Sequence, residues 1–232
     1  MKKYLVVIFV LGGFPEFANS GEIVFPTVSV RAGVVAPGEA LSLGQSHVEA
    51  SVPATSTGRV EVLEELGHKT LRFREENPSD TPRLDLRLEQ PLSNWRAEIT
   101  FEVEELNSDH IFQIFRAMQG EKLAFLSGIS TSSEGSYVSY VFRESADDAA
   151  YTNRSSKGLE VGQEYRLIVT GDSATQKLTF SVEGVDTGLE AAYAEQVGEI
   201  DRLIIGDVSD EGSAQGPTSV LVKKIQITED KR

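Results

Sequence analysis

From residue 22 onward, apolar and polar side chains alternate along the chain with a period of two. In a strand, successive side chains point to opposite faces, so this pattern writes one buried face and one wet face. Residues 96–103 show it plainly: Ala97, Ile99, Phe101 and Val103 fall on one side, Arg96, Glu98, Thr100 and Glu102 on the other. The same alternation predicts strands over 59–63, 70–74, 84–88, 96–103, 111–116, 123–127, 137–142, 165–170, 178–183, 203–206 and 219–228. Residues 23–25 and 28–30 read as a first strand pair or an irregular edge, and 34–53 as a loose loop with short strands. Only residues 190–196 (EAAYAEQ) carry a helical signature. Many short strands separated by turn residues predict an all-β, antiparallel β-sandwich.

The first twenty residues break the pattern. Lys2 and Lys3 precede the apolar run YLVVIFVLGG, and Ala18-Asn19-Ser20 places small residues where a signal peptidase reads. A membrane span needs ~20 apolar residues, about twice this run. Residues 1–20 are therefore expected to be a signal peptide cleaved before Gly21, sending the protein to the periplasm or outside the cell. Residues 21–55 then form an N-terminal strand-and-loop segment packing on a sandwich that spans 56–232. That length supports a core without staples, and the chain has no cysteine to supply disulfides or a lipid anchor. Its net charge of -14 argues against nucleic acid and against insertion into anionic membranes. The charge disfavours an anionic polymer as ligand unless a local basic groove exists.

The C-terminal third has the most specific organisation. A strand beginning at Tyr165, a polar turn over 171–176, a return strand running to Gly184, the pair Ile205-Gly206 and a last strand over 220–227 follow one another. This series resembles the closing half of the concanavalin-A-like superfamily, which includes laminin-G-like domains and jelly-roll alginate lyases. The resemblance covers the layout of residues 55–228 and implies a jelly roll.

The alginate lyase pattern of that superfamily can be followed through the chain. Its strand with Arg, an acid and Arg at alternate positions resembles Arg83, Asp85 and Arg87, with Asp where Glu is usual. Its Gln-Ile-His resembles Gln113-Ile114-Phe115, which lacks the histidine. Its Lys and Tyr around an Ala-Gly pair fall on Ile204 and Val208, which carry neither group. Uronate β-elimination needs a base, an acid and a group that neutralises the carboxylate. Phe115 and Val208 can be neither acid nor base, so a standard site is incomplete; His110, Tyr137 or Tyr140 could supply a relocated one.

Other candidates are thinner. Glu98, Thr100, Glu102 and Glu104 share a face in the manner of laminarinase-like carboxylates, but read better as a solvated acidic face. Asp207, Asp210 and Glu211 sit in one polar loop that could hold a structural calcium. His47, His68 and His110 have no metal-ligand spacing. Tyr137, Tyr140, Tyr151, Tyr193 and Trp95 are candidate sugar platforms. Tyr137 and Tyr140 must face opposite ways, and Trp95 reads as a core anchor.

The sequence thus predicts a secreted, non-catalytic module that binds a polysaccharide or an extracellular protein, with no cofactor required. Arg83, Asp85, Arg87, Gln113, Tyr137 and Tyr140 are the expected ligand contacts. The alternative is a polysaccharide lyase or jelly-roll glycoside hydrolase with a rearranged site, using Arg83, Arg87 and Gln113 with His110 or Tyr140. A structural or adhesion module is a third class.

Overall fold

The computed structural model describes residues 23–25, 31–41, 48–77, 79–106, 108–143, 150–154, 158–183, 188–192, 199–208, 212–215 and 217–229. Two antiparallel sheets stack face to face. In spatial order, the first contains β15 (Gly188–Ala192), β14 (Lys177–Glu183), β13 (Glu164–Asp172), β8 (Asn94–Glu105), β18 (Thr218–Glu229), β6 (His68–Glu75), β5 (Arg59–Glu65) and β2 (Gly33–Val35). A short β1 (Ile23–Phe25) also pairs with the far half of β18. The second contains β12 (Ala150–Arg154), β11 (Gly135–Arg143), β10 (Lys122–Ser132), β9 (Ser108–Gln119), β16 (Ile200–Gly206), β7 (Arg83–Leu92), β4 (Val48–Ser51) and β3 (Ala40–Leu41). There, β17 (Gly212–Gln215) pairs with the start of β9.

The alternation seen in the sequence is what stacks these sheets. Leu84, Ile99 and Phe101 are wholly buried and Phe180 nearly so, and side chains from both sheets interdigitate in one core. Aromatic contacts cross the interface: Phe125 lies 5.3 Å and Tyr140 4.8 Å from Phe180, centroid to centroid, and Trp95 lies 6.4 Å from Phe115. Burying side chains of this size stabilises by about 1.5–3 kcal/mol each.

The outward row of β8 is the solvated acidic face expected from the sequence, and it is laced with cations. Glu98 accepts from Arg96 and Arg166, Glu102 pairs with Lys223, and Glu104 takes a bidentate grip from Arg72. The helix expected over 190–196 is replaced, as far as the described residues go, by strand. Residues 188–192 pair with β14, whose open edge offers a full ladder that outweighs the local helix preference of Ala and Glu. The short strands of the segment 21–55 join both sheets, since β1 and β2 add to the first and β3 and β4 to the second. The signal-peptide residues and the strand expected over 28–30 lie outside the described residues.

Candidate functional site

On β7, Leu84 and Leu86 turn into the core, so Arg83, Asp85 and Arg87 project from the outer face of the second sheet. Register extends this row sideways. Arg202 of β16 lies opposite Arg87, Ile204 opposite Asp85 and Gly206 opposite Arg83. On the other side of β16, Ile204 lies opposite Arg116 of β9. The outer face therefore gathers Arg83, Arg87, Arg116 and Arg202 around Asp85.

Asp85 organises the group. Its Oδ2 accepts from Arg202 Nη2 at 2.8 Å, and its Oδ1 lies 3.9 Å from Arg83 Nε. The Arg83 fork also donates to the Thr81 and Thr55 hydroxyls, which fixes the guanidinium against the sheet end. Arg116 Nε donates to Gln113 Oε1. Burial lowers the Arg116 pKa, Asp207 opposes that shift, and the neighbouring charges of Arg83 and Arg202 add to it. Crowded like charges of this kind favour an incoming anion. Glu49 lies opposite Arg87 at the β4 side. Beside Arg87 and Arg202 is a shallow cavity of about 210 Å³, also lined by Leu88, Gly120, Glu121 and Asp201. That is below the ~300–1,000 Å³ of ordinary small-molecule pockets, so an extended ligand fits this face better than an enclosed one.

Arg116 shares the face of Gln113 only because β9 is bulged. The pairing with β10 steps from Gln113↔Gly128 to Phe115↔Ser127, which leaves Ile114 as an extra residue. Ile114 and Phe115 both enter the core, so Gln113 and Arg116 both emerge outside. Gly128 permits the close approach: a Cβ there would lie 2.7 Å from the Phe112 carbonyl oxygen.

The other expected site residues go elsewhere. Tyr140 pairs with Ser127 and turns inward onto Phe180, so it is a core residue and cannot meet a ligand on the arginine face. Tyr137 is on the outer side, two strands away from β9 (β10 lies between), and its hydroxyl donates to the Glu134 carbonyl. His110 falls on the inward side of β9 with Phe112, is 3 % exposed, and lies behind the sheet from the arginines. Its Nε2 is 2.7 Å from Glu75 Oε2, across the interface on β6. Asp207 is also fully buried and joins these two, while Asp210 and Glu211 lie outside the described residues. Burial pushes the Glu75 carboxyl up to about 7; Asp207 opposes this, the Asp80 charge adds to it and Thr218 opposes it. Burial pushes the His110 imidazole down, against the pull of Asp207. Trp95 is a core anchor, Tyr193 lies outside the described residues, and of Tyr151 only the backbone is described.

Sequence reasoning missed Arg116 and Arg202. Plain alternation puts position 116 opposite to 113, and only the break in apolar phase between Phe112 and Phe115 betrays the bulge. Arg202 falls one residue before the strand predicted over 203–206, although β16 begins at Ile200.

The chain is similar in fold to several solved structures. An alginate lyase from Klebsiella pneumoniae matches at 9% identity, over 70% of this chain and 82% of that one, with a TM-score of 0.54. A sialidase matches at 10% identity, over 87% and 19%, with a TM-score of 0.56. A botulinum neurotoxin type C structure, whose cell entry depends on two ganglioside molecules, matches at 7% identity, over 88% and 49%, with a TM-score of 0.55. All are jelly-roll sandwiches, and that architecture is what the likeness shows. The chain spans 49% of the toxin chain and 19% of the sialidase chain. No family description and no curated protein sequence matches it.

Proposed function

We propose that this chain is an exported, non-catalytic binding module that holds acidic polysaccharide on the outer face of its second sheet. The reading is carried by one observation: four arginines share one outer sheet face, two of them held by Asp85, in a chain whose net charge is -14. Planar guanidinium forks match carboxylates bidentately, which suits them to uronate sugars. The similarity in fold to an alginate lyase and to a ganglioside-dependent toxin is compatible with a carbohydrate ligand.

Cleavage needs more than this face offers. Elimination requires a base and an acid within about 3 Å of the sugar atoms they serve. His110 lies on the far side of the sheet and Tyr140 points into the core. Tyr137 lies two strands from β9, each step about 4.8 Å. Among the described residues, none of His110, Tyr137 and Tyr140 joins the arginines as an acid or base.

Affinity electrophoresis against alginate, polygalacturonate, hyaluronan and a neutral glucan tests the reading, with ultraviolet absorbance of unsaturated ends read on the same samples. Retardation by at least one uronate polymer without new double bonds is expected. Arg116→Ala should weaken that binding by about 10–100-fold, the usual loss for a charge-assisted contact. New double bonds would establish a lyase instead, and retardation by the neutral glucan alone would remove the arginine face from the account.

A further inference from the structure

The three groups that the arginine face leaves unused meet between the sheets, at the end of the sandwich where β6 and β16 run out. Glu75 is the last residue of β6, Asp207 directly follows β16, and His110 lies near the start of β9. They are 1 %, 0 % and 3 % exposed, and one donor-capable atom from each lies within 4.8 Å of the other two. Two carboxyl groups and an imidazole thus occupy one buried volume between two sheets.

Two atoms of this cluster stand out. Among the described residues, Glu75 Oε1 and His110 Nδ1 are buried without a hydrogen bond. Thr218 sits opposite Glu75 in the β6–β18 register and is 1 % exposed, and its hydroxyl is turned toward the Glu75 carboxyl, whose burial-driven shift it opposes. Buried polar atoms normally find partners, and each one left over costs about 1–3 kcal/mol. Asp207, by contrast, is held in place from outside the cluster: its Oδ1 accepts from the Gln113 backbone N–H at 3.2 Å. An outer hydrogen bond of this kind is how ligating carboxylates are usually oriented.

We propose that Glu75, His110 and Asp207 form a buried site for one divalent transition-metal ion, with zinc the best match and the Thr218 hydroxyl turned toward it. A divalent ion balances two carboxylates and gives one oxygen each of Glu75 and Asp207 and one nitrogen of His110 a common partner. The donor set decides the class of ion. One imidazole nitrogen with carboxylate oxygens suits zinc or manganese, whereas calcium and magnesium call for an all-oxygen shell. The site is separate from the arginine face, which lies on the other side of the second sheet. It clamps the two sheets at one end, a place where a chain without cysteine has no disulfide to do so.

The test uses untagged protein unfolded with chelator and refolded with zinc, manganese, calcium or EDTA. Metal content after gel filtration and melting temperature are read on each sample. One zinc per chain and a higher melting temperature than in EDTA are expected, with no response to calcium. His110→Gln and Asp207→Asn should lose zinc affinity by more than the ~10–100-fold typical of an outer-shell change. Should those variants not fold, the wild-type refolding series decides alone. Wild-type protein that keeps no zinc and melts identically with zinc and EDTA would overturn the site. Equal stabilisation by calcium, or full zinc retention by a folded His110→Gln, would do the same.

Discussion

At Gly206 the backbone adopts φ +96°, and a Cβ there would lie 2.3 Å from the Pro82 carbonyl oxygen and 2.7 Å from the Phe73 ring. The same carbonyl accepts the Asp207 N–H at 2.9 Å, so this close approach seats Asp207 in the interior. Gly206→Ala should destabilise the fold by about 2 kcal/mol or more, through overpacking added to a backbone that side chains rarely adopt. Urea unfolding midpoints check this, and an unchanged midpoint would mean that the strand shifts to absorb the methyl group. Single residues differed in how far the sequence exposed them. Trp95 was legible as a core anchor, because it opens a strand whose odd positions are apolar. Tyr137 and Tyr140 were legible as a pair facing opposite ways, but which one faced the core depended on the register of β11 against Ser127, and alternation carries no register. His110 was misleading for a related reason: one position along β9 separates the ligand face from the interior.

Strands were legible in the sequence as alternation, and their bulges only as breaks in its phase. Each of the eleven strands predicted over 59–228 appears, usually lengthened by one to a few residues at its ends. Three of them, β9, β10 and β18, change phase midway. In β18, Val220 and Val222 are buried, and so are Ile225 and Ile227, with Lys223 and Lys224 at the step between. In β9 the step at Ile114 moves Arg116 to the arginine face. Phase changes are visible in the apolar pattern, and reading them would have recovered that residue. On the outer face of the first sheet, Arg72 of β6 reaches across β18 to Glu104 of β8, while Ser219 donates to the same carboxylate. Burial raises the Glu104 pKa, but the Arg72 and Ser219 hydrogen bonds outweigh it and hold the carboxyl below its ordinary range. Its contribution is therefore present above the unfolded value of about 4.3 and is lost as pH falls through the lower folded value. Arg72→Met should cost about 1 kcal/mol at pH 7 and progressively less toward pH 2, as Glu104 takes up its proton. Urea midpoints of both proteins at the two pH values measure the difference; an equal cost at both would assign the loss to packing.

The whole molecule sets a long-range field against a short-range site. A charge of -14 repels a polyanion at distances that added salt screens, while the arginine contacts act within a few ångströms. Affinity for a uronate polymer should therefore pass through a maximum as sodium chloride rises, the Debye length being about 10 Å at 0.1 M. Calorimetric titration at several salt concentrations checks this, and an affinity that only climbs with salt would exclude the arginine contacts. The fold itself was legible because a sandwich needs only alternation and turns. The arginine face was only half legible, because it is assembled from β7, β9 and β16, which lie far apart in the chain. The pairing of β1 with the far half of β18 carries a further consequence. Ile23 and Ile227 are partners in adjacent strands, which brings the first and last described strands within one rung of each other. The backbone path from β1 to β18 thus returns to its own start, like a ring with a hidden seam. A chain re-spliced by a short bridge from residue 22 to residue 230, and opened instead at the exposed hairpin tip Leu66-Gly67, should keep its circular dichroism spectrum and still unfold cooperatively.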